Sequence, residues 1–375
     1  MSEDGVAHEP PADFLTIPEI IRAARQNMPP AMWDHASGGV ESETTLRRNR
    51  LAMETLAFRP KLLQGVAEPD LRTTFLGRTI HSPVMLAPIG SIQGFHAAGA
   101  LAPARVASRR RTICCVGTMA WPGLTDVAAE VDGPLLFQIY VRGDRDWLRE
   151  IAEKAEAAGY VGLCLSADST GEARRDRDLH NRYEHHAGSA QPNLREGAGP
   201  GLEFQLSFCW DDFDWLRSIT RLPIILKGVT TAEDARLAVD HGADAIYVSD
   251  HGGRELDHLP AAIEVLPEIV AALDGRAEVI VDSGFLRGTD VVKALALGAR
   301  GVLLGKLQVW ALMAGGESGL ERALELLDEE IAEILKLLGV RSLRDLTPAY
   351  LRPATPTRPD ALAWNRYEHA PMPRL

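Results

Sequence analysis

From about residue 84 onward, short apolar runs alternate with longer amphipathic stretches. The runs are VMLAPI (84–89), TICCVG (112–117), LLFQIYV (135–141), VGLCLSAD (161–168), PIILKGV (223–229), AIYVSD (245–250), VIVDSG (279–284) and GVLLGK (301–306). Runs this short, and apolar at nearly every position, are the pattern of strands covered on both faces. Between them lie stretches with helical spacing, among them DRDWLREIAEKAEAAG, AEDARLAVDHG, AAIEVLPEIVAAL, TDVVKALALGA and ESGLERALELLDEEIAEILKLLG. Several end in Gly, as helix C-termini commonly do. Eight strand–helix units in series predict an α/β fold closed into a (β/α)8 TIM barrel. A flavodoxin-like open sheet is the rival, and eight consecutive units favour closure.

Three regions break the rhythm. Residues 15–60 predict a helical segment leading into the barrel, behind an acidic, Pro-bearing lead over 1–14 that reads as disordered. Between strands four and five lies RRDRDLHNRYEHHAGSAQPNLREGAGPGLEFQLSFCW, rich in Gly, Pro and charge. A loop this long is expected to be functional, here as a lid over the catalytic face. The barrel domain is expected over 15–352, with a proline-bearing tail over 353–375.

Composition narrows the partners. A net charge of −12 argues against nucleic acid or an anionic membrane surface. No apolar run approaches the ~20 residues of a membrane span. The start, MSEDGVAHEPPADF, has no apolar core of a secretory signal. Cys114, Cys115 and Cys164 lie in apolar runs and read as buried free thiols, and with Cys209 they form no C-x-x-C pair. That usage suits a reducing cytoplasm. The HNRYEHH cluster (180–186) has no strong ligand spacing and reads as a solvated charged surface, so no metal is expected.

The candidate chemistry centres on Ser249-Asp250-His251-Gly252-Gly253-Arg254-Glu255-Leu256-Asp257, which follows the sixth strand. In a parallel barrel the carboxyl ends of the strands carry the active site. An imidazole there can take a proton near neutral pH, and a guanidinium can hold a carboxylate through two parallel hydrogen bonds. The pair suggests an enzyme that deprotonates a small acid while holding it in place.

The motifs LKGVTTAEDARLAVDHGADAIYVSDHGGRELD and VDSGFLRGTDVVKALALGARGVLLGK, with LAPIGS, FQIYV and SADSTGEARRDRD, stand in order at strand ends. In these the chain resembles the FMN-dependent α-hydroxy-acid oxidases and dehydrogenases, which include glycolate oxidase, lactate oxidase, lactate monooxygenase and mandelate dehydrogenase. The likeness runs over about residues 15–352. It implies oxidation of a 2-hydroxy acid to the 2-oxo acid, with FMN reoxidised by O2 or another acceptor. It also implies a homo-oligomer, a tetramer by analogy.

The resemblance assigns His251 as base and Asp168 as the carboxylate that orients it. Arg254 and Arg175 become clamps on the substrate carboxylate, and Tyr140 a hydroxyl donor to the substrate. Arg175, in the run ARRDRD, also fits a solvated salt-bridge face. Lys227 is implied to face the flavin N1–C2=O edge; a salt bridge at the barrel mouth is its alternative. Gln138 and Ser166 are expected to hydrogen-bond the ring, and Pro88, Ile89 and Gly90 to line it, with Gly117 and Ser249 also among the cofactor contacts. Asp282 is expected at the ribityl hydroxyls, and Gly284, Gly305 and Lys306 at the phosphate.

Several positions depart from the family pattern. His35, in WDHASGGVE, stands where a carboxylate-binding Tyr is usual; it can still donate a hydrogen bond and, when protonated, add charge. Leu286 replaces a phosphate-loop Arg, a loss expected to weaken FMN binding by roughly 1–3 kcal/mol. Gly117 stands for a Ser, Met119 for a bulky aromatic and Asp250 for an Asn. Gly90 is similar to the monooxygenase pattern. Two other functions fit the same residues less well. A flavin-dependent isomerase on a related barrel would need a diphosphate site, and a non-catalytic ligand-binding descendant has only His35 and Leu286 in its favour.

Overall fold

The structure, a computed structural model, describes residues 12–169, 173–184, 190–194 and 202–356. All eight apolar runs form strands: β1 (Val84–Leu86), β2 (Cys114–Gly117), β3 (Leu135–Ile139), β4 (Gly162–Ser166), β5 (Ile224–Val229), β6 (Ala245–Val248), β7 (Glu278–Val281) and β8 (Gly301–Leu304). Each pairs in parallel with the next, and β8 pairs with β1, so the sheet closes into a barrel. The helices that follow each strand are α1 (Leu101–Arg110), α2 (Leu124–Ala129), α3 (Arg145–Ala157), α4 (Trp210–Ile219), α5 (Ala232–Asp240), α6 (Ala262–Leu273), α7 (Gly288–Ala296) and α8 (Lys306–Leu338).

Successive side chains of a strand point to opposite faces. Met85, Cys115, Leu136, Cys164, Ile225 and Tyr247 therefore fill the barrel interior. Their neighbours Leu86, Val116, Phe137 and Leu165 pack outward under the helices. Both faces are buried, which is why the strands read as unbroken apolar runs. The helices show the complementary pattern. In α3, Asp144 caps the first turn by accepting from Trp147 N at 2.8 Å, and Trp147, Leu148, Ile151, Ala152 and Ala155 form the buried stripe.

Several features were not anticipated. A hairpin of Thr73–Phe75 and Arg78–Ile80 adds Phe75 and Ile80, both fully buried, to the barrel-interior cluster. Leu56–Phe58 pairs antiparallel with Leu351–Pro353, so the chain entering the barrel and the chain leaving it are tied together. The segment after β4, expected as irregular, carries helices at Asp176–Asn181 and Leu202–Ser207 before α4. Helix α8 begins at Lys306, which had been placed at the end of a strand, and kinks at Gly315 and Gly316. Phe14, assigned to the lead, is half-buried against the core. The N-terminal helices Ile17–Asn27, Pro30–Ser37 and Thr44–Glu54 match the expectation. Cys114, Cys115 and Cys164 are buried free thiols and Cys209 is exposed. Among the described residues no helix is long and apolar enough to cross a membrane.

Candidate active site

At the carboxyl ends of the strands lies a cavity of about 540 Å³. Its wall includes residues from the ends of β1, β3, β5, β7 and β8, from the N-terminal helices, and from the segment after β4. The sixth loop puts His251 into it in a left-handed conformation, φ 57°. A β-carbon there is disfavoured, and the turn is held by local bonds. Ser249 Oγ accepts from His251 N at 3.1 Å, and Gly253 N donates to Asp250 Oδ1 at 2.9 Å. Gly253, at φ 70°, has to be glycine because a β-carbon would approach Leu46 N to 2.7 Å. In strand β5 the register shifts between Lys227 and Val229 at Gly228, φ 99°. Asp168 packs against the vacant β-carbon position of Gly228. This bulge turns Lys227 toward Asp168.

The result is a compact buried network. Asp168 Oδ2 accepts from Lys227 Nζ at 2.9 Å and lies 3.0 Å from His251 Nδ1; Lys227 Nζ is itself 3.2 Å from that nitrogen. Tyr140 Oη is 3.0 Å from His251 Nε2. Burial opposes ionisation of Asp168, but Lys227 and His251 outweigh it and hold the carboxyl well below its usual range. Burial likewise opposes the charge on Lys227, and Asp168 overcomes it, keeping the ammonium protonated. Burial raises the Tyr140 phenol, so it stays a donor at any working pH. With Asp168 ionised, Nδ1 carries the proton by assignment from its partner, and Nε2 is the basic nitrogen facing Tyr140.

A second group of side chains provides positive charge. Arg254 Nη1 donates to the carbonyls of His35 (2.5 Å) and Gly38 (3.2 Å), and among the described residues no carboxylate pairs with it. Burial, then Arg175, lowers its pKa to about 9. A half-buried guanidinium that among the described residues bonds only to carbonyls suits an incoming carboxylate. Arg175 lines the cavity beside it but donates to Glu255 Oε1 (3.1 Å) and to the Arg254 carbonyl (3.3 Å). His35 Nδ1 is 2.9 Å from Asp178 Oδ2, and its ring tilts against Tyr183 at 5.2 Å. Burial lowers the His35 pKa against the opposing pull of Asp178, so the ring is neutral at neutral pH and adds no charge there.

The expected cofactor residues fall into two sets. Pro88, Ile89, Gly90, Lys227, Asp282, Gly284, Gly305 and Lys306 line the cavity. Gly117, Gln138, Ser166 and Ser249 are not in its wall. Gln138 Nε2 donates to Ser166 Oγ at 3.0 Å, a β-carbon on Gly117 would lie 3.2 Å from Gln138 Oε1, and Ser249 supports the His251 turn. Asp282 accepts from Tyr247 Oη at 2.9 Å and from Ser283 Oγ at 2.9 Å. Lys306 stands at the head of α8, and its Nζ donates to Gly252 O at 2.9 Å. Among the described residues it makes no ion pair. Burial, then Arg254, lowers its pKa to about 7. A half-buried lysine at a helix N-terminus, lacking a carboxylate partner among the described residues, fits a phosphate group.

Over residues 24–353 the chain matches the model of the FMN-dependent dehydrogenase family. The chain belongs to this family. Among its relatives, glycolate oxidase 3 of Arabidopsis thaliana is 38% identical, over 91% of this chain and 96% of the relative. Glycolate oxidase of Spinacia oleracea is 38% identical, over 90% of this chain and 96% of the relative. Among solved structures, a soluble mutant of the membrane-associated (S)-mandelate dehydrogenase from Pseudomonas putida superposes with a TM-score of 0.86 at 33% identity, covering 91% of this chain and all of that one. A putative lactate oxidase of Pediococcus acidilactici gives a TM-score of 0.85 at 30% identity, covering 92% of this chain and 96% of that one. The protein is thus an FMN-dependent enzyme of the hydroxy-acid oxidase and dehydrogenase family, an oxidoreductase on a TIM barrel. An isomerase reading is set aside.

Through contact with the FMN phosphate, Lys306 is expected to make FMN binding pH-dependent. Free of phosphate its pKa is about 7; a bound phosphate raises it, so binding above pH 7 takes up a proton. FMN affinity of the apoprotein is expected to fall as pH rises from 7 to about 9, approaching tenfold per unit where one proton is taken up. A fluorescence titration across that range measures it, and a flat profile contradicts it.

Three residues of the site were not legible in the sequence. Asp178, which holds His35, is hidden in a charged run. Glu255, which holds Arg175, lies in the quoted motif but carried no signal of its own. Arg50, a cavity residue, sits in LRRNR and reads as a solvated helix face. His185 and His186 of the HNRYEHH cluster lie outside the described residues, and among those that are described no group of His, Cys, Asp and Glu could hold a metal ion.

Proposed function

We propose that His251 is the base of a 2-hydroxy-acid oxidation whose substrate carboxylate is held by Arg254, with Arg175 and His35 completing the receptor. The observation that carries the reading is the His251 ring itself. Asp168 occupies Nδ1 at 3.0 Å, so Nε2 is left as the basic nitrogen at the cavity wall beside Tyr140. FMN, when bound, supplies the two-electron acceptor. The residues do the rest. Asp168 fixes the tautomer and stabilises the imidazolium that forms. Tyr140 donates its hydroxyl to the substrate oxygen. Lys227 supplies the positive charge that favours reduction of the cofactor. Proton removal from the α-carbon and from the hydroxyl use this same set.

Pro88, Ile89, Gly90, Asp282, Gly284, Gly305 and Lys306 would hold the cofactor directly. Gln138, Ser166 and Gly117 sit together at the strand ends beside this set, and Ser249 braces the His251 turn. The apolar wall of Ile89, Phe95, Met119 and Leu194 favours a 2-hydroxy acid with an apolar side chain, lactate or larger, over glycolate. Assembly of the His251–Asp168–Tyr140 set weighs against a non-catalytic descendant. The buried free thiols support a reducing, cytoplasmic setting, and the resemblance supports a homo-oligomer.

The test is anaerobic mixing of the FMN-loaded protein with glycolate, lactate, 2-hydroxyhexanoate and mandelate. Flavin bleaching is expected, faster with the three larger acids than with glycolate. Readmitting air then reports whether O2 restores the colour. Absence of bleaching with every acid would overturn the reading.

A further inference from the structure

The buried face of the N-terminal helix Thr44–Glu54 carries Leu46, Asn49, Arg50 and Met53. A charged residue there is costly unless its hydrogen-bonding groups are met. Arg50 is 8% exposed. Its Nη1 donates to the Gly284 carbonyl and to Asp290 Oδ2, the latter at 2.6 Å. Its Nε is buried and has no hydrogen-bond partner among the described residues. The neutralising carboxylate is shared, because Asp290 Oδ2 also accepts from Leu286 N (3.0 Å) and Arg287 N (3.1 Å). Among the described residues the protein therefore uses one corner of a five-donor fork and leaves the rest uncommitted.

That fork stands in the wall of the cofactor cavity, alongside Gly284, Leu286, Gly305 and Lys306. Leu286 brings an apolar, buried side chain to the seventh loop and no donor. Arg287, next along, turns away onto Glu330 at 2.6 Å. Lys306 is then the cation offered by the eighth loop, and the seventh loop offers none.

We propose that Arg50, delivered from outside the barrel by the N-terminal helix, is a phosphate ligand of FMN in this protein and takes the place left by Leu286. Asp290 and the Gly284 carbonyl preset the guanidinium plane, and the phosphate meets its remaining donors. The proposal rests on FMN being the cofactor. It makes the N-terminal helix part of the cofactor site and not only its scaffold.

The test compares binding of FMN and of riboflavin, which lacks the phosphate, to the full-length apoprotein by fluorescence. Arg50→Gln is expected to weaken FMN about 10–100-fold and to leave riboflavin within about twofold. Adding Leu286→Arg to Arg50→Gln is expected to restore most of the loss. Leu286→Arg alone is expected to tighten FMN by less than about fivefold, because the place is already filled. Equal losses for FMN and riboflavin would make Arg50 structural and overturn the proposal, as would an unchanged FMN affinity. If Arg50→Gln does not fold, Leu286→Arg alone decides, and a gain of fivefold or more overturns the proposal. Parent protein that binds neither flavin would remove the cofactor assignment itself, a result distinct from all of these.

Discussion

Replacing His251 by Asn is expected to slow flavin bleaching by the 2-hydroxy acid about 10³–10⁴-fold, while FMN remains bound. The size is that of losing a positioned general base. The substitution isolates chemistry from folding. His251 has φ 57°, a conformation that Asn tolerates better than most residues. An Asn amide can still bond to Asp168 Oδ2, where Nδ1 now sits at 3.0 Å. What it cannot do is accept a proton at the position of Nε2. Stopped-flow absorbance under nitrogen measures the rate. A variant as fast as the parent would remove His251 from the mechanism and with it the reading of Tyr140 and Asp168.

The second large effect is on stability. Lys227→Met is expected to destabilise the apoprotein by about 3–5 kcal/mol, the range found when one member of a buried ion pair is removed. Asp168 shares a single oxygen between Lys227 and His251, and its other oxygen, Oδ1, is buried with no hydrogen-bond partner among the described residues. Without the ammonium, the carboxylate keeps its desolvation cost and loses its strongest opposing charge. The double variant Lys227→Met, Asp168→Asn is expected to recover most of that stability, since no buried charge is left unpaired. It is not expected to recover activity, because the orienting carboxylate and the ammonium are both gone. Urea unfolding of the three apoproteins checks the first statement and bleaching rates the second. A single variant within about 1 kcal/mol of the parent would show that the network is solvated enough to tolerate the loss.

The cluster proposed as the catalytic centre was legible because its parts lie at or just beyond the ends of apolar runs. Once 223–229 and 245–250 are read as strands, Lys227 and His251 must emerge at the same mouth, since parallel strands put all their carboxyl ends on one side. The carboxylate receptor was only half legible. Arg254 follows from its motif, but its lack of an acidic partner depends on Glu255 turning to Arg175 instead. The neutral state of His35 depends on how deeply its helix is buried, which no local pattern encodes. Gln138, Ser166 and Ser249 were assigned to the flavin by the resemblance; two residues on from Leu136, Cys164 and Tyr247, they share the inward face of their strands, but that Gln138 bonds to Ser166 and Ser249 to the His251 turn is decided by tertiary packing.

Period and order along the chain determined the eight-stranded barrel and the mouth at which Lys227 and His251 emerge, because strand alternation and parallel closure are local rules applied repeatedly. Tertiary structure alone decided which charges are paired. Asp168 and Lys227 are 59 positions apart in the chain and Arg50 and Asp290 are 240 apart, and no periodicity relates them. Whether each such group is neutralised or left to receive a ligand is set by long-range packing in a low-dielectric interior, where a shift of one side chain changes the electrostatic cost by several kcal/mol.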